Sequence, residues 1–106
     1  QSLGLSAFAM GASGWTTGVA NTIPEFCVEI FDLAVRRQDI AGAREVFMRI
    51  LPLCDFYAEK SLVRAVKAAA EILGKPLGPP RLPLKPLDEA DKKVLRSLLD
   101  TLGLVA

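Results

Sequence analysis

With 106 residues, the chain has the length of one small domain, enough for a single hydrophobic core. It is 51% hydrophobic and 24% charged, with 13 basic against 12 acidic side chains, a balance that argues against disorder and against a strongly charged partner. It holds no histidine, which excludes a histidine-based triad, a His-ligated zinc site and a histidine pH switch within these residues.

The first 24 residues carry no charge, and Gly14 and Gly18 have GxxxG spacing. Serines, threonines, Asn21 and four glycines make the stretch too polar for a lipid-facing helix, and it lacks the basic start of a signal peptide. No membrane association is expected. Leu3, Leu5, Phe8, Ala9 and Met10 read as a short helix stopped by Gly11. The β-branched and aromatic run Gly14-Trp15-Thr16-Thr17-Gly18-Val19 reads as a short buried strand, its two glycines suggesting close approach by another backbone or a ligand.

From Thr22 the signals become helical. Thr22 and Glu25 have capping-box spacing, Pro24 falls in the first turn, and Phe26, Cys27, Ile30, Phe31, Ala34 and Val35 recur with helical period. Arg36 and Arg37 close this helix as cations at its carbonyl end. Asp39 is the expected N-cap of a second helix with the stripe Ala43, Val46, Phe47, Ile50, Leu51 and Cys54, kinked at Pro52 because proline supplies no amide hydrogen. A third helix is expected over residues 58–73, stopped by Gly74. Cys27 and Cys54 have no metal-ligand spacing and read as core thiols.

Residues 75–87 hold Pro76, Pro79, Pro80, Pro83 and Pro86 and read as an extended strap, whose Leu77, Leu82, Leu84 and Leu87 imply that it packs against something. Asp88 then caps a last helix, with Val94, Leu95, Leu98, Leu99 and Leu102 on its apolar face and Gly103 at its end. Lys and Arg run from Arg36 to Arg96 interleaved with acids, so no basic face for nucleic acid is expected. A lone strand has no neighbour in the chain to pair its amides and carbonyls, which points to a partner outside these residues.

The order Gly11-Ala12-Ser13-Gly14-Trp15-Thr16-Thr17-Gly18-Val19-Ala20-Asn21, a proline-started helix, Ile50-Leu51-Pro52-Leu53, Val66-Lys67-Ala68-Ala69 and Arg81-Leu82-Pro83-Leu84 resembles the end of the dihydrodipicolinate synthase and N-acetylneuraminate lyase family. The resemblance covers essentially the whole chain. It implies an α/β fold: residues 1–38 as the end of a (β/α)8 TIM barrel, with strand eight at residues 15–19 and helix eight at residues 24–37. Residues 39–106 would be a C-terminal three-helix appendage that includes the strap. On this reading the chain is mostly helical and is the C-terminal part of a larger lyase.

The chemistry that the resemblance implies is a Schiff base between a lysine and pyruvate or a related 2-keto acid, used for aldol cleavage or condensation or for dehydration of a 2-keto-3-deoxy sugar acid. Its lysine and tyrosine would lie upstream of Gln1, so no catalytic residue is expected here, and no cofactor or metal is implied. Thr16 matches the strand-eight position that lines the keto-acid pocket, often isoleucine in the synthases. Gly18 matches a position that carries a substrate-contacting serine in the sialic-acid branch, and Gln1 falls in the loop after strand seven that presents substrate ligands in several members. The implied enzyme is cytoplasmic, a homodimer or homotetramer, and inactive without the upstream part of the barrel. The rival reading is a non-catalytic helical interaction module, with Trp15 and the leucine faces as its interface.

Overall fold

The computed structural model describes residues 3–105. Five α-helices follow one another: α1 (Gly4–Ala9), α2 (Pro24–Phe31), α3 (Ile40–Lys60), α4 (Leu62–Ile72) and α5 (Glu89–Thr101). The chain divides into two compact units, Gln1–Leu51 and Pro52–Ala106.

The expected strand is not formed. Residues 12–17 have no regular structure, and Gly18–Asn21 is a 3-10 turn. Thr17 keeps the extended conformation, with φ −146° and ψ 136°, so the local preference is realised although no strand is formed here. A strand needs a neighbour to take up its amides and carbonyls, and no second strand occurs among the described residues.

In the first unit, Pro24 opens α2 as expected, but the capping box is not made. The N-cap is Ile23, with no side-chain capping bond, and the Thr22 hydroxyl donates instead to the carbonyl of Val19 at 3.0 Å. The residues before α2 are already wound into the 3-10 turn, which claims that hydroxyl. Beyond Phe31 the helix widens into a π-turn, Asp32–Arg36, closed by the Arg37 amide donating to the Asp32 carbonyl at 2.9 Å. Phe26 and Ile30 are buried, and the guanidinium of Arg49 lies 5.3 Å from the Phe26 ring centroid. Asp39 caps α3 as expected, its Oδ1 accepting from the Gly42 amide at 2.9 Å.

Helix α3 runs through Pro52 to Lys60, six residues beyond the expected end of its stripe. The break falls at Ser61, whose φ of +82° no sequence signal marks. In the second unit, Leu53, Cys54, Phe56 and Tyr57 of α3, the alanines of α4, and Leu95, Leu99 and Leu102 are buried. The small side chains Ala65, Ala68, Ala69 and Ala70 let α4 lie close to its neighbours. Helix α4 stops at Gly74 with φ +82°, a conformation that side chains with a Cβ rarely take. Asp88 caps α5, accepting from the Asp91 amide at 2.8 Å, and Lys60 reaches Asp91 at 3.4 Å. The strap is neither helix nor strand and turns at Leu82–Pro83; Pro80 and Leu87 are buried, whereas Leu77, Leu82 and Leu84 stand in solvent, so the packing expected of these three is not made among the described residues.

Both cysteines are buried thiols. Burial, with the neighbouring Asp55 carboxylate adding to it, pushes the Cys54 thiol from 9.0 to about 11. An acid whose folded pKa is raised stabilises the fold below its unfolded pKa, and that contribution is lost as pH rises from 9.0 through about 11. Cys54 should therefore resist alkylation at pH 8 until the unit is unfolded by urea, and stability should fall between pH 9.0 and about 11 less steeply in Cys54→Ala than in the parent. Thiol labelling followed by mass spectrometry, and urea melts across that range, check both; rapid native labelling at pH 8 would contradict the enclosure.

Candidate functional site

The first unit carries a groove of about 440 Å³. Trp15 and Thr17 of the extended segment form one wall, and Pro24, Val28, Phe31 and Asp32 along α2 and its π-turn form the other. Trp15 is placed by its neighbours. Its ring meets Phe8 edge to face, with centroids 5.9 Å apart and planes at 88°, and Phe8 meets Phe31 in the same manner at 5.9 Å. Gly4 permits the approach, since a Cβ on it would lie 2.7 Å from the indole carbons of Trp15. The walls are mostly apolar, and Val28, on the exposed face of α2 with Pro24, Glu25 and Glu29, is 65% exposed.

The polar end of the groove is an ion-paired turn. Asp32 lies 3.2 Å from the Arg37 Nε and 3.9 Å from the Arg36 Nη1, while the Arg36 guanidinium sits 5.9 Å from the Phe31 ring centroid. The sequence alone predicts the two arginines as helix-end cations; the four-residue spacing of Asp32 and Arg36 is the signal in it for the pair. This turn orders the end of the groove. It gives no nucleophile–base arrangement, and no cluster that could hold a metal ion occurs among the described residues.

The three residues expected to touch substrate are placed differently. Gln1 lies outside the described residues. Thr16 is exposed, whereas its neighbours Trp15 and Thr17 are half-buried and line the groove. Gly18 begins the 3-10 turn, its carbonyl accepting from the Asn21 side-chain amide at 3.1 Å. Thr17, which sequence reading did not single out, is held by its hydroxyl accepting from the Val19 amide at 3.3 Å. Among the described residues no helix is long and apolar enough to cross a membrane.

The model of the dihydrodipicolinate synthetase family matches residues 1–102. The chain belongs to this family. It is 35% identical over 103 residues to the 4-hydroxy-tetrahydrodipicolinate synthase of Methanocaldococcus jannaschii, a match spanning 97% of the chain and 35% of that protein. It is 31% identical over 105 residues to the "Probable 5-dehydro-4-deoxyglucarate dehydratase" of Saccharopolyspora erythraea, spanning 96% of the chain and 34% of the relative. Among solved structures, the dihydrodipicolinate synthase of Aquifex aeolicus superposes with a TM-score of 0.89 at 28% identity, covering 97% of the chain and 35% of that structure. The chain thus spans about a third of the length of the curated relatives it matches.

The seat of Trp15 is open to test. Gly4→Ala gains up to about 1 kcal/mol of helix preference but drives a methyl into the indole, an overpacking cost of about 1–3 kcal/mol. The expected outcome is a net loss of roughly 1 kcal/mol in urea unfolding together with a shifted emission of Trp15, the single tryptophan of the chain. Unchanged stability and emission would mean that the ring has room to move.

Proposed function

We propose that the chain is the C-terminal third of a Schiff-base lyase acting on pyruvate or a related 2-keto acid. In this reading residues 1–38 close a (β/α)8 barrel and residues 39–106 form its helical appendage. The observation that carries the proposal is the match of residues 1–102 to a family whose similar members are a synthase and a dehydratase three times as long. The extended conformation of Thr17, in a segment outside any regular element, supports it, because upstream strands would give such a segment neighbours to pair with.

The alternation of the segment gives each side a task. In extended chain, successive side chains point to opposite sides, so if Trp15 and Thr17 face α2, Thr16 faces the other way, into the barrel. Active sites of such barrels form at the C-terminal ends of the strands, so Thr16 would line the keto-acid pocket, Gly18 would leave space at its mouth, and Gln1 would approach from the preceding loop. Threonine at this position favours a keto-acid aldolase or dehydratase over the lysine-biosynthetic synthase.

The imine-forming amine needs an enclosed pocket that disfavours its charge. The six lysines of the chain do not offer one. Lys60 pairs with Asp91 and Glu59, Lys92 with Glu89, and Lys67 donates to main-chain carbonyls, while Lys75, Lys85 and Lys93 are exposed. The catalytic lysine is therefore assigned upstream. The assembled enzyme is assigned to the cytoplasm as a homodimer or homotetramer, on family analogy alone.

Borohydride reduction of the intact enzyme in the presence of pyruvate should trap one adduct on a lysine upstream of Gln1. Failure to trap with pyruvate and with 2-keto-3-deoxy sugar acids, or an adduct on one of the six lysines named here, overturns the proposal. In the same enzyme, Thr16→Ile should change the KM for the keto acid by about 10-fold, the scale of one or two methylenes in a pocket, with the fold intact by circular dichroism. Unaltered kinetics would remove Thr16 from the pocket.

A further inference from the structure

The strap between α4 and α5 is secured in an unusual way. Its five prolines supply no amide hydrogens, and its interior backbone bond, Leu84 amide to Arg81 carbonyl at 3.0 Å, is a local turn. Little apolar burial holds it, since Pro80 and Leu87 are buried while Leu82 is 85% exposed. Between strap and helix lies a cavity of about 240 Å³, lined by Arg64, Lys67 and Glu71 on the α4 side and by Leu77, Pro79 and Pro86 on the strap side. The strap stands off α4 here instead of packing on it.

Two cationic side chains span the gap. The Arg64 Nε donates to the Lys85 carbonyl at 2.6 Å and its Nη2 to the Pro86 carbonyl at 3.3 Å. One turn along the same face of α4, the Lys67 Nζ donates to the Pro79 carbonyl at 3.2 Å and reaches the Leu77 carbonyl at 3.5 Å. All four acceptors are main-chain carbonyls, two at the front of the strap and two at its rear. The grip reads the spacing of the backbone and is indifferent to the strap's side chains. Charged donors make stronger bonds than neutral ones, and the Arg64 guanidinium offers its donors in a fixed planar fork, whereas a lysine ammonium is a rotatable point donor.

We infer that Arg64 and Lys67 form a two-point clasp, and that the strap is a gate over the 240 Å³ cavity which opens as a unit while α4 and α5 stay folded. Opening breaks the four side-chain bonds and frees residues 77–86 between fixed ends at Gly74 and Asp88. The gate is the least stable part of its unit, because it buries little and its backbone bonds are few. This inference does not rest on the lyase reading.

Trypsin offers a direct readout. Lys75 and Lys85 are each followed by proline and resist cleavage, so Arg81–Leu82 is the susceptible bond of the strap. A protease must draw an extended stretch of chain into its cleft, which the clasped spacing opposes. On the intact protein under native conditions, Arg64→Ala and Lys67→Ala should each speed cleavage at Arg81–Leu82 several-fold, and the double variant by about 10-fold or more, as expected when the cut tracks the open population. Arg64→Lys should fall between parent and Arg64→Ala, and cleavage after Lys92, Lys93 and Arg96 in α5 should keep the parent's rate. Equal rates at Arg81–Leu82 in all variants would overturn the clasp. A parallel rise at the α5 sites would overturn the gate, because the two side chains would then only stabilise the unit as a whole.

Discussion

The Trp15 indole, seated on the bare Cα of Gly4 and edge-on to Phe8, is the contact on which the first unit depends. It ties α1 to an extended segment with no regular structure of its own, and Phe8 passes the connection to Phe31 at the end of α2. Edge-to-face aromatic pairs add about 0.5–1.5 kcal/mol beyond the area they bury, a useful sum for a segment outside any helix or strand. With Trp15 and Thr17 turned to the groove, Thr16 is left on the exposed side.

In the second unit, the core and the strap are held by different physics. Leu95 and Leu99 of α5 and the alanines of α4 are buried by close packing, and the Cys54 thiol is enclosed firmly enough that burial raises its pKa to about 11. The strap instead hangs from charged side chains on main-chain carbonyls, with leucines in solvent. A packed core loosens only by losing many contacts together, whereas a clasp of four bonds can release alone. Stability is therefore unevenly distributed within one small unit.

Helix existence was legible in the residues, and helix ends were legible where a glycine or a carboxylate marks them. Asp39 and Asp88 cap as their positions imply, and Gly74 stops α4. The α3–α4 boundary was not legible, because Ser61 takes φ +82° without a glycine to announce it. The capping box at Thr22 failed for a related reason: the hydroxyl had a nearer acceptor in the Val19 carbonyl, which only the 3-10 turn brings within reach. For the candidate site, sequence pattern picked out the segment and Trp15, but the ion-paired π-turn was read as two separate helix-end charges.

The missing strand follows from the difference between conformation and pairing. The β-branched and aromatic residues at 15–17 carry an extended preference that Thr17 adopts in full, with φ −146° and ψ 136°. Pairing is a property of two strands, and the sequence of one can supply only half of it. A chain covering about a third of its relatives' length can therefore, under the proposed function, hold a barrel segment with Thr17 already extended and still show no sheet among its described residues. Under the proposed function the inner side of that segment, where Thr16 stands, acquires chemistry only when upstream strands bring it neighbours and a reactive lysine.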